Sequence, residues 1–345
     1  MNKPELTIVM PFFDKPQLVV EMIKSIIANT YTNWELLAID DGATEECFAY
    51  ISQHVADPRV HFIHRTDPPK GAPKCRNIGL QKAVGKYVIF FDSDDYITPT
   101  CLENRVNAIK ACPDMDFVVV PMGTYQDGAF TPFNPRRPFG YPVYDDDLAA
   151  FLRRTLPFVV CTNIYRVASV RRAGLVWDER LLSLQDADFN LQALQAGLRY
   201  KYASCPPDYG YRFENTPASI TGKIKSAAHF DSHLYCFTKT YDLIQSRYGH
   251  RYDYSLYLGM QFIYCLLFAE GIDWLKAQRL LAIVKQHSRL YWMLLNIQLQ
   301  SGRFLCLFLP AATAARISLS PYLLQRRLWE KRRNKKVKRI IYERN

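Results

Sequence analysis

Three carboxylates follow a short apolar run, at Asp92, Asp94 and Asp95. The preceding residues Tyr87–Phe91 are all apolar, the pattern of a strand buried on both faces. Carboxylates this close repel one another, and a hard divalent cation such as Mg²⁺ or Mn²⁺ relieves that repulsion. Ligands of open α/β sheets bind beyond the carboxyl ends of the strands, where this turn falls. The stretch predicts a metal site; the alternative is an acidic loop before the next helix.

A second acidic pair, Asp40 and Asp41, follows the predicted strand Trp34–Asp40. The first predicted strand, Leu6–Met10, is followed by Pro11 and Phe12. Side chains at two such strand ends can accept hydrogen bonds from a base N–H and from ribose hydroxyls. The alternative is that Asp40 or Asp41 only caps the helix that begins near Thr44.

A cationic segment with Lys74, Arg76 and Asn77 opens the predicted helix Ala72–Ala83. Cations and free backbone N–H groups at a helix start favour phosphate. The segment lacks the GxGxxG spacing of a nicotinamide or flavin site. An ordinary solvated basic helix explains it equally well.

Two more candidates lie further along the chain. Asp186 and Asp188 begin the predicted helix Gln185–Ala196, where one of them could act as a general base or both could simply favour the helix dipole. Arg212, in the stretch 209–221, could reach a phosphate or remain on the surface. The predicted chemistry rests on these carboxylates and not on the seven histidines.

The elements that must position these residues alternate between strands and helices up to about residue 225. This alternation predicts an α/β fold with a mostly parallel sheet. Residues 126–144, rich in Pro, Gly and Phe, are expected to form an irregular excursion. Long apolar-periodic segments beyond residue 226 predict a helical C-terminal region. We therefore expect two units, 1–225 and 226–345.

Composition and charge narrow the class of protein. The 345 residues are 49% apolar and 22% charged, which indicates a globular protein. Nine cysteines without CxxC spacing argue against a zinc site or a disulfide framework and favour a reduced, cytosolic setting. No signal peptide and no long apolar run is evident.

The net charge of +11 is concentrated at one end of the chain. Residues 316–345 hold eleven Lys/Arg and two Glu, a net +9. Such a segment can bind anionic lipid headgroups, or it can be a solvated tail. Nucleic-acid binding is disfavoured because no recognised module accompanies the charge.

Taken together and in order, the motifs resemble the family 2 glycosyltransferases of GT-A fold. They are TIVMPFF, WELLAIDDGAT, GAPKCRNIGL, KYVIFFDSDDYITP, GLVWDERL with LQDADFNLQAL, and YRFENTPASIT, which together cover roughly residues 6–221. The resemblance implies an inverting transfer of a sugar from a nucleotide donor, usually a UDP-sugar, to a hydroxyl of a glycan or lipid-linked glycan. It also implies a divalent metal and a cell-surface polysaccharide or lipopolysaccharide pathway. From the cysteines and the basic segment 316–345 we expect a cytoplasmic protein that can lie on the inner face of the cytoplasmic membrane.

The resemblance assigns each candidate residue a role. Asp186 is implied as the catalytic base, and Asp94 as a metal ligand with Asp92 and Asp95. The residues implied to bind the nucleotide-sugar are Pro11, Phe12, Asp40, Asp41, Arg76, Asn77, Asp92, Ser93 and Arg212. Gln185 and Ala43 depart from the usual family residues, Glu and a small hydroxyl residue. Two other functions stay open: an inactive binding or scaffold protein of the same fold, and a sugar nucleotidyltransferase.

Overall fold

The computed structural model describes residues 3–65, 67–68, 70–134, 138–212, 226–268 and 274–342. Its strands are β1 (Leu6–Phe12), β2 (Trp34–Asp40), β3 (Val60–His64), β4 (Tyr87–Phe90), β5 (Tyr96–Ile97), β6 (Phe117–Val119), β7 (Gly123–Gln126), β8 (Ala129–Thr131), β9 (Asn163–Arg166), β10 (Tyr200–Tyr202) and β11 (Tyr209–Arg212).

Helices separate most of these strands, and the described elements after β11 are all helical. The first seven are α1 (Pro16–Ile27), α2 (Glu45–His54), α3 (Ala72–Lys82), α4 (Cys101–Lys110), α5 (Asp147–Leu152), α6 (Val167–Arg172) and α7 (Gln185–Gln195). The C-terminal helices are α8 (Ala227–Tyr248), α9 (Asp253–Phe268), α10 (Trp274–His287), α11 (Arg289–Leu305), α12 (Ala311–Ser318) and α13 (Ser320–Tyr342).

The main sheet has seven strands in the order β10-β6-β9-β4-β1-β2-β3. β1 pairs in parallel with β2 and β4, and β2 pairs in parallel with β3. β9 is antiparallel to both of its neighbours, β4 and β6. Residues in β1, β2 and β4 are buried throughout, as continuous apolar runs in a covered parallel sheet should be. The predicted α/β fold with a mostly parallel sheet and a helical C-terminal region is confirmed.

The register brings three strand ends to one edge of this sheet. Phe12 lies opposite Asp40, and the Asp41 N–H donates to the Phe12 carbonyl at 2.9 Å. On the other side of β1, the Phe91 N–H donates to the Val9 carbonyl at 3.0 Å. Because the strands are parallel, the residues that follow each of them emerge side by side.

The stretch 126–144 is more regular than the sequence suggested. β7 and β8 form an antiparallel hairpin, and β7 also pairs with β11 in a second sheet of order β5-β11-β7-β8. The turn between them is Asp127-Gly128, both at positive φ, 51° and 79°. Asp-Gly is a typical two-residue hairpin turn, so the sequence did contain this signal.

The C-terminal helices share a hydrophobic core with the sheet. One continuous cluster joins Phe90 and Trp177 to Phe230 and Tyr241 of α8 and to Leu280 of α10. Near residue 226 the chain thus changes from alternating strands and helices to helices alone, and both parts contribute to a common core. The chain forms two separate helices, α10 and α11, between residues 274 and 305, because Ser288 caps α11 by accepting from the Tyr291 N–H.

The basic C-terminal segment is a helix packed on the rest of the protein. Val337 of α13 is buried among Tyr141 and Val143, and the Trp329 ring stacks on Tyr144 at 5.3 Å. Among the described residues, none of the helices combines the length and the apolar character that a membrane crossing requires.

Candidate active site

A cleft of about 490 Å³ opens at the carboxyl edge of the main sheet. Nine of the twelve predicted site residues line it: Pro11, Phe12, Asp41, Arg76, Asp92, Ser93, Asp94, Asp186 and Arg212. They come from the ends of β1, β2, β4 and β11 and from the starts of α3 and α7. Residues more than 170 positions apart in the chain therefore share one cavity. Asp40, Asn77 and Asp95 are not part of its lining.

Asp41 faces the cleft with one oxygen held by the protein. Its Oδ1 accepts from Arg65 Nε at 2.7 Å and from the Gly71 N–H at 3.0 Å. Gly71 sits just before α3 at φ 147°, a conformation that few residues other than glycine adopt. The carboxylate is thereby fixed at the cleft wall with Oδ2 available to a donor such as a base N–H.

Asp40 instead holds the turn that leads away from β2. Its Oδ1 accepts from the Gly42 and Ala43 N–H groups at 2.9 and 2.7 Å, and its Oδ2 bonds His64 Nδ1 at 2.8 Å. With both oxygens used and only 5% of its surface exposed, Asp40 does not line the cleft. The prediction that it binds the nucleotide-sugar directly therefore has no support in its placement. The helix that follows is capped by Thr44, not by either aspartate.

The acidic turn divides its three carboxylates between two tasks. Asp94 is half-exposed at the cleft and pairs with Lys15 at 3.3 Å. Partial burial and then the neighbouring Asp92 carboxylate raise the pKa of Asp94, against the attraction of Lys15. A cation placed between Asp92 and Asp94 would relieve the repulsion between the two carboxylates, so these oxygen-donor side chains suit a hard metal ion.

Asp95 points into the protein and anchors the turn. Its Oδ2 accepts from the Tyr209 hydroxyl and its Oδ1 from the Arg212 N–H, both at 2.6 Å. Burial, and then the charges of Asp94 and Asp92, raise its pKa well above the usual range. Both oxygens of Asp95 are bonded within the protein, so its placement favours a structural role and gives no support to its predicted role as a metal ligand. Arg212 in turn donates from Nε to the Asp94 carbonyl at 2.8 Å.

Arg76 lines the cleft, with its side chain only 5% exposed. Its guanidinium donates to Asp92 Oδ1 and to Gln185 Oε1, the latter at 3.2 Å, and it stacks over the Trp177 ring at 4.5 Å. Although burial opposes its charge, Asp92 and Asp186 keep the pKa of Arg76 raised. One fixed cation thus serves the carboxylates on both sides of the cavity.

Asp186 has the most suitable titration behaviour for proton transfer. Burial raises its pKa to about 6, with Asp92 adding to the shift and Arg76 and the Val160 N–H opposing it. It sits in the first turn of α7, after Leu184 in a left-handed conformation at φ 63°. A carboxylate with a pKa near neutrality can accept a proton and release it again at physiological pH.

The segment that carries Asp186 is fastened from two sides. Asn77 donates from Nδ2 to the Trp177 carbonyl and accepts from the Trp177 N–H, at 2.9 and 2.8 Å. The Asn77 side chain also donates to Glu179 Oε1 at 2.9 Å and is not part of the cleft lining, so its predicted contact with the donor has no support in its placement.

From α8, the Ser232 hydroxyl accepts from the Leu182 and Ser183 N–H groups at 2.9 and 3.2 Å. Lys239 bridges Asp178 and Asp188 at 3.0 and 2.8 Å. The helix α8 therefore forms part of the support of Asp186.

Sequence reasoning missed several residues of the cleft. One of them is Lys15, which precedes α1. Asp14 and Lys15 both have φ 51°, and no side chain caps the start of α1. Phe13, Tyr211 and the apolar residues 182 and 184 are also part of the lining. The unusual backbone at 14–15 carries no sequence signal of its own. The rest of the last motif, residues 213–221, lies outside the described residues.

Within the described part of the chain there is no cluster of three His, Cys, Asp or Glu side chains suited to hold a metal ion. Mg²⁺-type ions are typically bound by one or two carboxylates together with phosphate oxygens of a substrate. Asp92 and Asp94 fit that smaller donor set, and the site leaves the remaining positions to a ligand.

Residues 7–173 match the family model for glycosyl transferase family 2. The chain is 37% identical over 112 residues to an Escherichia coli K12 protein provisionally named colanic acid biosynthesis glycosyl transferase WcaA. That alignment covers 32% of this chain and 38% of WcaA. The aligned parts of the first curated relatives amount to between 15% and 43% of their lengths.

Two solved proteins share the fold across most of the chain. TarS residues 1–349 from Staphylococcus aureus superposes with a TM-score of 0.64 at 16% identity, covering 94% of this chain and 91% of that one. Its complex with UDP-GlcNAc gives a TM-score of 0.59 at 16% identity, with coverages of 97% and 90%. The mannosyltransferase PcManGT from Pyrobaculum calidifontis, in complex with GDP-Man and Mn²⁺, gives 0.51 at 16% identity, with coverages of 97% and 88%.

Proposed function

The chain belongs to glycosyl transferase family 2, as its sequence motifs predict, and from that membership we propose that it catalyses inverting sugar transfer. The donor is a nucleotide-sugar, a UDP-sugar in the first instance, and the acceptor is a hydroxyl of a glycan or a lipid-linked glycan. The observation that carries this proposal is the convergence of Asp41, Asp92, Asp94 and Asp186 on one cleft.

The donor's nucleotide is proposed to lie across the ends of β1 and β2. Pro11 and Phe12 offer an apolar wall for the base, and Asp41 Oδ2 can accept from an N–H of uracil. Ser93 and Arg212 line the same cleft and are proposed to contact ribose and diphosphate oxygens. The UDP-GlcNAc complex of TarS, which shares this fold, supports a UDP-sugar as donor.

A divalent ion, Mn²⁺ or Mg²⁺, is proposed to be held by Asp94 with Asp92. When bound there with the donor, the ion would neutralise the charge that develops on the leaving nucleoside diphosphate. The Mn²⁺ complex of PcManGT supports this metal chemistry. Lys15, already paired with Asp94, supplies a fixed positive charge at the same edge.

Asp186 is proposed to remove the proton from the acceptor hydroxyl while that oxygen attacks the anomeric carbon. Arg76 holds Asp92 and lowers the cost of ionising Asp186, so the two carboxylates can be charged together. A single displacement of this kind inverts the anomeric configuration.

The pathway is proposed to build a cell-surface polysaccharide or lipopolysaccharide, as the name of the relative WcaA suggests. We propose that the enzyme works on the cytoplasmic side of the membrane. The strongly basic segment 316–345 would attract the anionic headgroups there.

A turnover screen tests the proposal. The full-length protein is incubated with UDP-, GDP- and dTDP-sugars, Mn²⁺ or Mg²⁺ and candidate acceptors, and release of nucleoside diphosphate is measured. We expect one donor class to be consumed only with metal present. Binding of every nucleotide-sugar without turnover would instead identify a binding protein, and consumption of a nucleoside triphosphate with sugar phosphate would identify a nucleotidyltransferase.

A further inference from the structure

Helix α11 is apolar on two opposite faces. Its inner face buries Leu295, Leu299 and Gly302 against the neighbouring helices. The outer face carries five large apolar side chains that are 40–62% exposed: Leu290, Met293, Leu294, Ile297 and Phe304. One buried stripe is sufficient to dock a helix on a protein core, so the second stripe has no role in holding the fold.

The outer residues form a true stripe. At about 100° per residue, all five fall within about 100° of arc on the helix surface. The turn after the helix continues the apolar surface with Leu307 and Phe308, which are 74% and 71% exposed. The rings of Phe304 and Phe308 contact each other at a centroid distance of 5.4 Å. Single exposed apolar residues are ordinary, whereas a contiguous patch of this length marks an interaction surface.

The segment that contains this stripe carries charge of one sign. Residues 274–329 contain no Asp or Glu and eight Lys/Arg. Arg289 and Arg303 stand at the two ends of α11. A second copy of this chain would bring one cationic surface against another, which disfavours self-association through this face.

We propose that the outer face of α11, with Leu307 and Phe308, is an interfacial face that inserts into the headgroup region of an anionic lipid bilayer. Apolar side chains enter the acyl boundary while the surrounding Lys and Arg contact lipid phosphates, which is how helices lie in a membrane surface. This inference goes beyond the transfer reaction and places the insertion at α11, whereas the basic segment 316–345 supplies only charge attraction.

Flotation with vesicles tests the proposal on the full chain. The vesicles contain phosphatidylglycerol with phosphatidylethanolamine, and phosphatidylcholine vesicles serve as the neutral reference. The stripe variant is Leu290→Gln with Ile297→Gln and Phe304→Gln. The matched control is Val84→Gln with Val176→Gln, two exposed apolar positions, 43% and 57%, far from α11 in sequence.

We expect the wild type and the control to float with anionic vesicles and the stripe variant to partition at least about tenfold more weakly. High salt should reduce wild-type binding without abolishing it, because burial of apolar side chains is insensitive to screening. Hydrogen exchange of the wild type should slow across residues 289–308 when anionic vesicles are added, which requires no variant.

Three outcomes would overturn the proposal. The first is equal flotation of wild type and stripe variant, or no wild-type flotation. The second is unchanged exchange across 289–308 with vesicles present. The third is a lipid-free dimer, seen by light scattering, that the stripe variant converts to monomer, which would make the occupant a second copy. Turnover of a nucleotide-sugar, assayed without vesicles on a water-soluble acceptor, reports separately on the proposed function.

Discussion

Replacing Asp186 with asparagine should stabilise the protein at neutral pH while abolishing transfer. Burial raises the pKa of this carboxyl from 3.8 to about 6, so the folded state binds its proton more tightly than the unfolded state does. For a group with this sign of shift, the stabilisation is complete below the unfolded pKa and is lost as the pH rises through the folded pKa. At pH 8 the native protein therefore holds a carboxylate at a cost that asparagine does not have.

The magnitude follows from the size of the shift. A rise of about two pH units corresponds to about 3 kcal/mol between the two protonation states. Asp186→Asn should thus be more stable than the wild type by up to about 3 kcal/mol at pH 8. Near pH 4 the advantage should almost vanish, because the wild-type side chain is then protonated too. Transfer should fall by at least about 10²–10⁴-fold, with UDP affinity nearly unchanged.

Urea unfolding at pH 4, 6 and 8, with and without the substitution, measures this difference. The matched control is Asp188→Asn in the same helical turn, where the carboxylate is paired with Lys239 at 2.8 Å and accepts from Gln192 at 2.6 Å. That substitution removes a paired charge and should lower stability. A stability difference for Asp186→Asn that is absent at pH 8, or is the same at every pH, would refute the electrostatic reasoning; retained turnover would remove Asp186 as the base.

Further outcomes follow from the same site. The kcat/KM of the wild type should rise with pH through about 6 and then level off, because the base must be ionised; a profile flat from pH 5 to 8 would contradict this. Asp94→Asn should abolish the extra thermal stabilisation that Mn²⁺ gives in the presence of UDP, while leaving the protein's own melting temperature nearly unchanged. Asp95→Ala should instead destabilise the protein, because it leaves the Tyr209 hydroxyl and the Arg212 N–H unpaired. The free energy of unfolding should fall by about 2–4 kcal/mol, with a lower melting temperature. Equal effects of the substitutions at 94 and 95 would argue against separate roles for the two carboxylates. Asn77→Ala should lower the free energy of unfolding by about 1–3 kcal/mol and reduce turnover more than UDP affinity, because it removes the bonds that hold the segment before Asp186. A loss of UDP affinity with normal stability would instead place Asn77 at the donor.

The sequence predicted those cleft residues that are chemically reactive and directly follow a predicted strand. Asp41, Asp92 and Asp94 each follow an apolar run, and parallel pairing brings such positions to one edge of a sheet. Local sequence does not say which of two adjacent aspartates faces the ligand. The roles of Asp40 and Asp95 depend on distant partners, such as Tyr209, which lies 114 positions from Asp95.

Other features had signals of unequal strength. The hairpin at Asp127-Gly128 was readable from its turn residues. The left-handed backbone at Lys15 and the packing of α13 on Tyr144 depend on tertiary contacts, so no local sequence pattern predicts them. The outer stripe of α11 could be traced on a helical wheel, but only the structure shows that the opposite face is the one in the core.

The attachment of the Asp186 segment to α8 has a consequence for synthesis of the chain. Every described residue that lines the cleft is translated before residue 213, yet Ser232 and Lys239, which fasten residues 178–188, are added afterwards. A nascent chain that already contains the described acidic residues of the cleft still lacks the α8 contacts that hold residues 178–188 in place. We therefore expect the cleft to reach its ligand-binding geometry only after α8 has left the ribosome.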